Sequence, residues 1–123
     1  MRMQAMRGSA NYHAGLAAEA CVAAHYQASG RAIAARRWRG SAGEIDLVAR
    51  GDDGLVFVEV KASRDFATAA EHLTRRQMDR LCGAASEFLA GEETGQLTPM
   101  RFDVALVDRL GRIQVIENAF GLH

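Results

Sequence analysis

Between residues 55 and 62, Val56, Val58 and Val60 alternate with Phe57, Glu59 and Lys61. A period of two marks a β-strand, and apolar residues on both of its faces predict a central position covered from both sides. Residues 44–50 read as a second strand, and Gly51-Asp52-Asp53-Gly54 between the two is turn chemistry, so they form a hairpin. Upstream, Leu16, Ala20, Ala23 and Ala24 recur at helical spacing. A helix is expected from Asn11, its N-cap, to Ser29, with Gly30 as its stop and residues 1–8 as a flexible lead-in. Glu19 then projects from the edge of the buried face. Residues 31–38 read as a less regular strand. Thr74-x-x-Gln77 is a capping box opening a helix to about Ala90, with Leu81, Ala84, Ala85, Phe88 and Leu89 on its core face. Residues 91–99 are a polar loop, and residues 100–107 and 112–116 a closing hairpin around Leu110-Gly111. The order α-β-β-β-α-β-β predicts one α/β domain over residues 1–123, a central mixed sheet flanked by helices.

The hairpin can be taken further. If Arg50 pairs with Leu55, paired residues have numbers that sum to 105, Asp46 falls opposite Glu59 and Glu44 opposite Lys61. Opposed Cβ atoms stand roughly 4.5–5.5 Å apart, a separation at which like charges destabilise a sheet. Two desolvated carboxylates side by side are costly unless a proton or a cation sits between them. Hard oxygen donors suit Mg²⁺ or Mn²⁺. Lys61, two residues along the same face, reaches the same place and can orient a water or stabilise phosphate charge. The chain has fourteen arginines and a single lysine, Lys61, which suggests a position that needs Lys specifically. The alternative is structural: Asp46 and Glu44 cap a strand end, and Glu59–Lys61 is a same-face salt bridge.

Charge changes the picture only locally. Fifteen basic and fifteen acidic residues give zero net charge, which argues against a generic electrostatic nucleic-acid binder. Yet Arg31, Arg36, Arg37 and Arg39 fall within nine residues, either a solvated strand edge or a phosphate-contacting strip. No apolar stretch approaches the ~18 residues that span a bilayer, and Met1 to Arg7 lack the apolar segment of a secretion signal. Cys21 and Cys82 read as reduced thiols buried in helices, so a cytoplasmic protein with no membrane association is expected. His13, His25, His72 and His123 lack metal-ligand spacing, and no serine has an evident triad partner. Arg101 and Asp103 share a strand face as a structural ion pair or, together with Glu44, as secondary site candidates. Trp38 is either a core residue or a base-stacking platform.

Gly15-x-x-x-Glu19, Gly30, Arg36-Arg37-Trp38-Arg39, Gly43-Glu44-Ile45-Asp46-Leu47-Val48, Phe57-Val58-Glu59-Val60-Lys61 and Arg101-Phe102-Asp103-Val104 together resemble the YraN-like family of uncharacterised bacterial proteins over nearly the whole chain. That family looks like a member of the restriction-endonuclease-like superfamily, with PD-(D/E)xK active sites, to which archaeal Holliday-junction resolvases are related. The resemblance implies a restriction-endonuclease-like fold and a Mg²⁺- or Mn²⁺-dependent endonuclease. Asp46 and Glu59 would be metal ligands, with the Val60 carbonyl between Glu59 and Lys61 as a further ligand. Lys61 would be catalytic, and Glu19 would match the first-helix glutamate of the resolvase-like branch. Gln77 matches a glutamine common on the helix after the core hairpin. Two departures stand out: Ile45 precedes Asp46 where the motif's name has proline, and Arg75 and Arg76 stand where relatives often carry Lys before the helical Gln. Arg36, Arg37, Arg39, Arg64, Arg75, Arg76 and Gln77 are candidate nucleic-acid contacts, DNA being the expected partner, and resolvase-like relatives imply a homodimer. The competing function is a non-catalytic module of the same fold that binds nucleic acid or a protein partner.

Overall fold

A computed structural model describes residues 2–120, and side chains from residue 15 onward. Its elements are α1 (Arg2–Ala28), β1 (Ala32–Arg39), β2 (Glu44–Gly51), β3 (Gly54–Ala62), α2 (Phe66–Glu71), α3 (Arg75–Leu89), a 3₁₀ turn (Gly95–Leu97), β4 (Met100–Val107) and β5 (Ile113–Phe120). The five strands form one sheet in the order β1-β2-β3-β4-β5. All neighbours are antiparallel except β3 and β4, which are parallel and joined by the crossover that carries α2 and α3.

The central place expected for β3 is observed, and Leu55–Val58 are at most 1% exposed. On one face Ala18, Val22, Ala23 and Tyr26 of α1 pack on Leu47, Ala49, Val56, Val58, Ala105 and Val107. On the other face Leu81, Ala84, Ala85 and Leu89 of α3 pack on Ile45, Val48, Leu55, Phe57 and Phe102, while α2 adds Ala69 against Val104 and Leu106. Strands buried on both faces lose simple alternation, because each side meets a helix.

Several expectations need correction. The first helix begins far upstream of Asn11, so Asn11 lies inside it rather than capping it, and residues 2–8 belong to its first turns. Met, Ala and Gln are good helix formers, and no proline precedes Asn11, so the single weak former Gly8 does not stop the helix. Its buried stripe is Ala18, Val22, Ala23 and Tyr26, with Ala20 and Ala24 exposed. Only the sheet decides which alanines of an alanine-rich helix turn inward. Cys21 is exposed and Cys82 half-buried, both as free thiols. The short helix α2 was not anticipated. Asp65 starts it, its carboxylate accepting the Thr68 N–H at 2.7 Å.

Other local signals hold. Gly30 adopts a left-handed φ of 95°, and the Arg31 N–H returns to the Tyr26 carbonyl at 3.1 Å, a glycine stop. The capping box forms in both directions, Gln77 N–H to Thr74 Oγ1 at 3.1 Å and Thr74 N–H to Gln77 Oε1 at 3.2 Å. Trp38 takes the core reading, half-buried and edge-on to Phe88 with centroids 5.3 Å apart.

The feature that positions the site is the end of the β2–β3 ladder. From Gly51↔Gly54 through Arg50↔Leu55 to Leu47↔Val58 the pairs sum to 105 as expected, and there the ladder stops. On its other edge β3 stays paired with β4 as far as Ala62↔Val107, and β2 stays with β1 as far as Arg39↔Glu44. A notch therefore opens between β2 and the last four residues of β3.

Candidate active site

Asp46 sits where the ladder ends. Its carboxylate Oδ2 accepts the Val60 N–H at 2.8 Å, replacing the strand partner that β2 no longer supplies. Asp46 and Glu59 are thus neighbours across the notch rather than a bonded ladder pair. A strand residue's N–H and C=O point to the same side, so the Val60 carbonyl faces the notch as well. Glu59 and Lys61 follow on one face of β3, with Nζ 3.2 Å from Oε1 and side chains only 15% and 16% exposed.

Glu19, from the opposite helix, completes the group. Its side chain is 17% exposed, and Arg37 Nε lies 3.5 Å from its Oε2 and 3.9 Å from Glu44 Oε1. Arg37 reaches both from a left-handed φ of 50°, a conformation that non-glycine residues rarely adopt. Arg39 also pairs with Glu44, at 3.5 Å, and is itself 80% exposed.

The electrostatics follow from burial and repulsion. Burial first, and the Asp46 charge second, push the Glu59 carboxyl up to about 7, against the pull of Lys61. Asp46 is raised by burial, against the Val60 N–H and Lys61. Glu19 is raised by burial and then by Asp46, with Arg37 opposing. Three carboxylates held above their ordinary range in one place form a site short of positive charge.

A cavity of about 190 Å³ beside them is lined by Gly43, Glu44, Asp46, Glu59, Gln77 and Arg80. Gln77 keeps its carbonyl on the Thr74 N–H while its side chain borders this space. Arg80 was missed from the sequence; its position three residues after Gln77, on the same helix face, is the signal that could have found it. Arg75 and Arg76 are exposed in the first turn of α3, where basic charge opposes the helix dipole. Arg36 is exposed on β1, and Arg64 lies beyond β3, paired with Asp65 at 3.4 Å.

Of the secondary candidates, Glu44 lines the cavity beside Asp46 and Glu59, whereas Arg101 and Asp103 belong to a different cluster. Asp103, fully buried, accepts from the Tyr26 hydroxyl at 2.8 Å, Arg101 Nε at 3.0 Å and Nη2 at 3.2 Å, and the Asn118 N–H at 3.0 Å. Arg101 continues toward Glu117 at 3.7 Å and Asp53 at 3.8 Å. This is the structural ion-pair reading, a clamp tying α1 to β4 and β5. His25 and His72 are exposed, and the His13 side chain and His123 lie outside the described residues.

Hard-oxygen donors from Asp46, Glu59 and the Val60 carbonyl, with Glu19 close by, have the chemistry that Mg²⁺ or Mn²⁺ takes. As the side chains stand, no three His, Cys, Asp or Glu groups among the described residues are gathered closely enough to enclose an ion. Lys61 Nζ lies against one Glu59 oxygen, Oε1, and the second oxygen is not part of that contact.

Fold and site together define an α/β protein whose central five-stranded sheet is flanked by helices and carries a carboxylate–lysine cluster where two strands part. Residues 18–107 match the family described as Uncharacterised protein family UPF0102, and the chain belongs to that family. It is 64% identical over 115 residues to a UPF0102 protein of Cereibacter sphaeroides strain KD131, covering 94% of this chain and 98% of the relative. A UPF0102 protein of Ruegeria pomeroyi is 61% identical over 121 residues, 98% of each chain, and one of Roseobacter denitrificans 51% over 112 residues, 91% of this chain and 87% of the relative. The family-level resemblance is thereby borne out. Among the described residues no helix is long and apolar enough to cross a membrane.

Proposed function

We propose that this protein is a metal-dependent endonuclease of restriction-endonuclease-like fold that hydrolyses phosphodiester bonds in nucleic acid, with branched or structured DNA as its substrate class. The observation that carries the reading is the notch: two strands part at Asp46, and the gap gathers buried, mutually repelling carboxylates beside the chain's single lysine. Asp46, Glu59 and the Val60 carbonyl would hold Mg²⁺ or Mn²⁺, with Glu19 ligating directly or through water. A bound ion would supply an activated water and neutralise charge developing on the phosphate. Lys61, beside Glu59, orients the attacking water or stabilises the phosphate. Arg36, Arg39, Arg75, Arg76 and Arg80 lie on the surrounding surface as backbone contacts, which give affinity without sequence readout. A two-fold homodimer suits a two-fold branched substrate.

The test is cleavage of labelled branched, single-stranded and duplex DNA in Mg²⁺ or Mn²⁺ by wild type and Asp46→Ala in parallel. Cutting by wild type alone supports the proposal; equal behaviour of the two, with unchanged metal binding by calorimetry, sinks it. The second reading is a non-catalytic binding module, favoured by zero net charge and by the closed Lys61–Glu59 contact. Metal-independent nucleic-acid binding without cleavage would select it.

A further inference from the structure

Beyond the notch, the same end of the sheet carries a second built feature. The turn from β4 to β5 is locked by Asp108, whose carboxylate is 3% exposed. It accepts the Leu110 N–H at 3.0 Å, the Arg112 N–H at 2.9 Å and Arg112 Nε at 2.6 Å. The Asp108 N–H returns to the Arg112 carbonyl at 3.0 Å, and Gly111 closes the turn at a φ of 81° that favours glycine. So rigid a turn nevertheless displays a 71% exposed leucine at its tip, Leu110, beside the exposed Arg109. Across a cavity of about 320 Å³ stands Arg64, and Asp65 and Arg112 complete the lining. Arg112 Nε is paired with Asp108 at 2.6 Å and Arg64 Nε with Asp65 at 3.4 Å, yet both arginine side chains stay largely exposed, at 71% and 78%, and Arg109 beside them is exposed as well. Leu97, more exposed still, has neutral polar neighbours in Gln96 and Thr98.

We propose that this turn and Arg64 form a second contact for a nucleic-acid strand, with Arg64 and Arg109 on backbone phosphates and Leu110 against an unstacked base. The proposal rests on the nucleic-acid reading of the notch and names the path the strand takes away from it. Arg64 lies three residues beyond Lys61, two of them past the end of β3, so at most about 10 Å along the chain. At the 3.4 Å per nucleotide of a stacked strand, that is at most about three nucleotides from the phosphate at the notch. The paired ends Ala62↔Val107 put the β4–β5 turn beside Arg64. An apolar side chain held on a fixed support can wedge against a base that has left its stack, so the contact selects branched or single-stranded over continuous duplex substrates.

The test is fluorescence anisotropy of labelled single-stranded, branched and duplex DNA in EDTA, with the full chain as wild type, Arg64→Ser/Arg109→Ser, Leu110→Ala and Asp46→Ala. All the altered side chains but Asp46 are exposed, and circular dichroism melts confirm that each variant folds. The double variant is expected to weaken every probe about tenfold or more and to lower the log–log salt slope by about two. Leu110→Ala should weaken single-stranded and branched probes several-fold and leave duplex binding within about twofold. Wild-type affinity in both turn variants overturns the inference, as does a wild type that binds none of the probes. Asp46-dependent cleavage alongside unchanged binding would sink this proposal alone. Turn-dependent binding in EDTA, with no cleavage when Mg²⁺ or Mn²⁺ is supplied, would support it and sink the hydrolytic reading.

Discussion

Replacing Glu59 by Gln should stabilise the metal-free protein at alkaline pH. The folded state holds the Glu59 carboxyl at about 7 against an ordinary 4.5. Between those values the folded protein binds more protons than the unfolded chain, so stability falls as pH rises. At about 1.4 kcal/mol per pH unit the charged form costs the fold roughly 3 kcal/mol above pH 7. The attraction of Lys61, which opposes this, is already contained in the raised value. Gln has the same shape and cannot ionise. In EDTA at pH 8, Glu59→Gln is therefore expected to melt roughly 10 °C above wild type, given about 3–5 °C per kcal/mol for a domain of this size. At pH 4 the two should melt together. Mg²⁺ at 1,000 times its dissociation constant should reverse the order, since it returns about 4.1 kcal/mol to wild type and little to a variant lacking the ligand. Thermal and urea unfolding from pH 4 to 8, with and without metal, make the measurement. A wild type that gains stability from pH 5 to 8 in EDTA, or a Glu59→Gln variant that loses it at pH 8, would refute the reasoning.

Tyr26→Phe should cost about 1–2 kcal/mol in urea unfolding, because it deprives buried Asp103 of a donor; burial and that bond raise the Tyr26 hydroxyl, so the loss should be constant through neutral pH, and DNA cleavage should be unaffected. Glu87→Ala should free the loop that leads into β2, since the Glu87 carboxylate holds the Ser41 N–H at 2.9 Å, its hydroxyl at 3.0 Å and the Ala42 N–H at 2.8 Å. Hydrogen exchange at Ser41 and Ala42 is expected to accelerate about tenfold or more. Those bonds lower the Glu87 carboxyl, so in wild type the protection is full above 4.5 and fades as pH falls through the folded value, opposite in sign to Glu59.

Local chemistry was the most legible part of the chain. Thr74 and Gln77 form their capping box because the donors it satisfies lie within three residues. The register of β2 on β3 could be computed because a tight turn fixes which residues face each other. Legibility failed where a choice depended on distant partners. Ala18 and Ala20 are chemically alike, and only the sheet beneath α1 decides which is buried. Arg101 and Asp103 could be read as a pair, but not the Tyr26 and Asn118 donors that make them a clamp.

By itself, the sequence determined the hairpin, the capped helix and the setting of Asp46, Glu59 and Lys61 near one another, because alternation and turn chemistry act over a few residues. The tertiary structure alone decided that β2 leaves β3 at Asp46, and that Asp46 takes the Val60 N–H where the ladder has stopped. It brought Glu19 and Arg80 to the cluster from two helices on opposite faces of the sheet. Parting strands and converging helices depend on packing between segments far apart in the chain, which no local periodicity records.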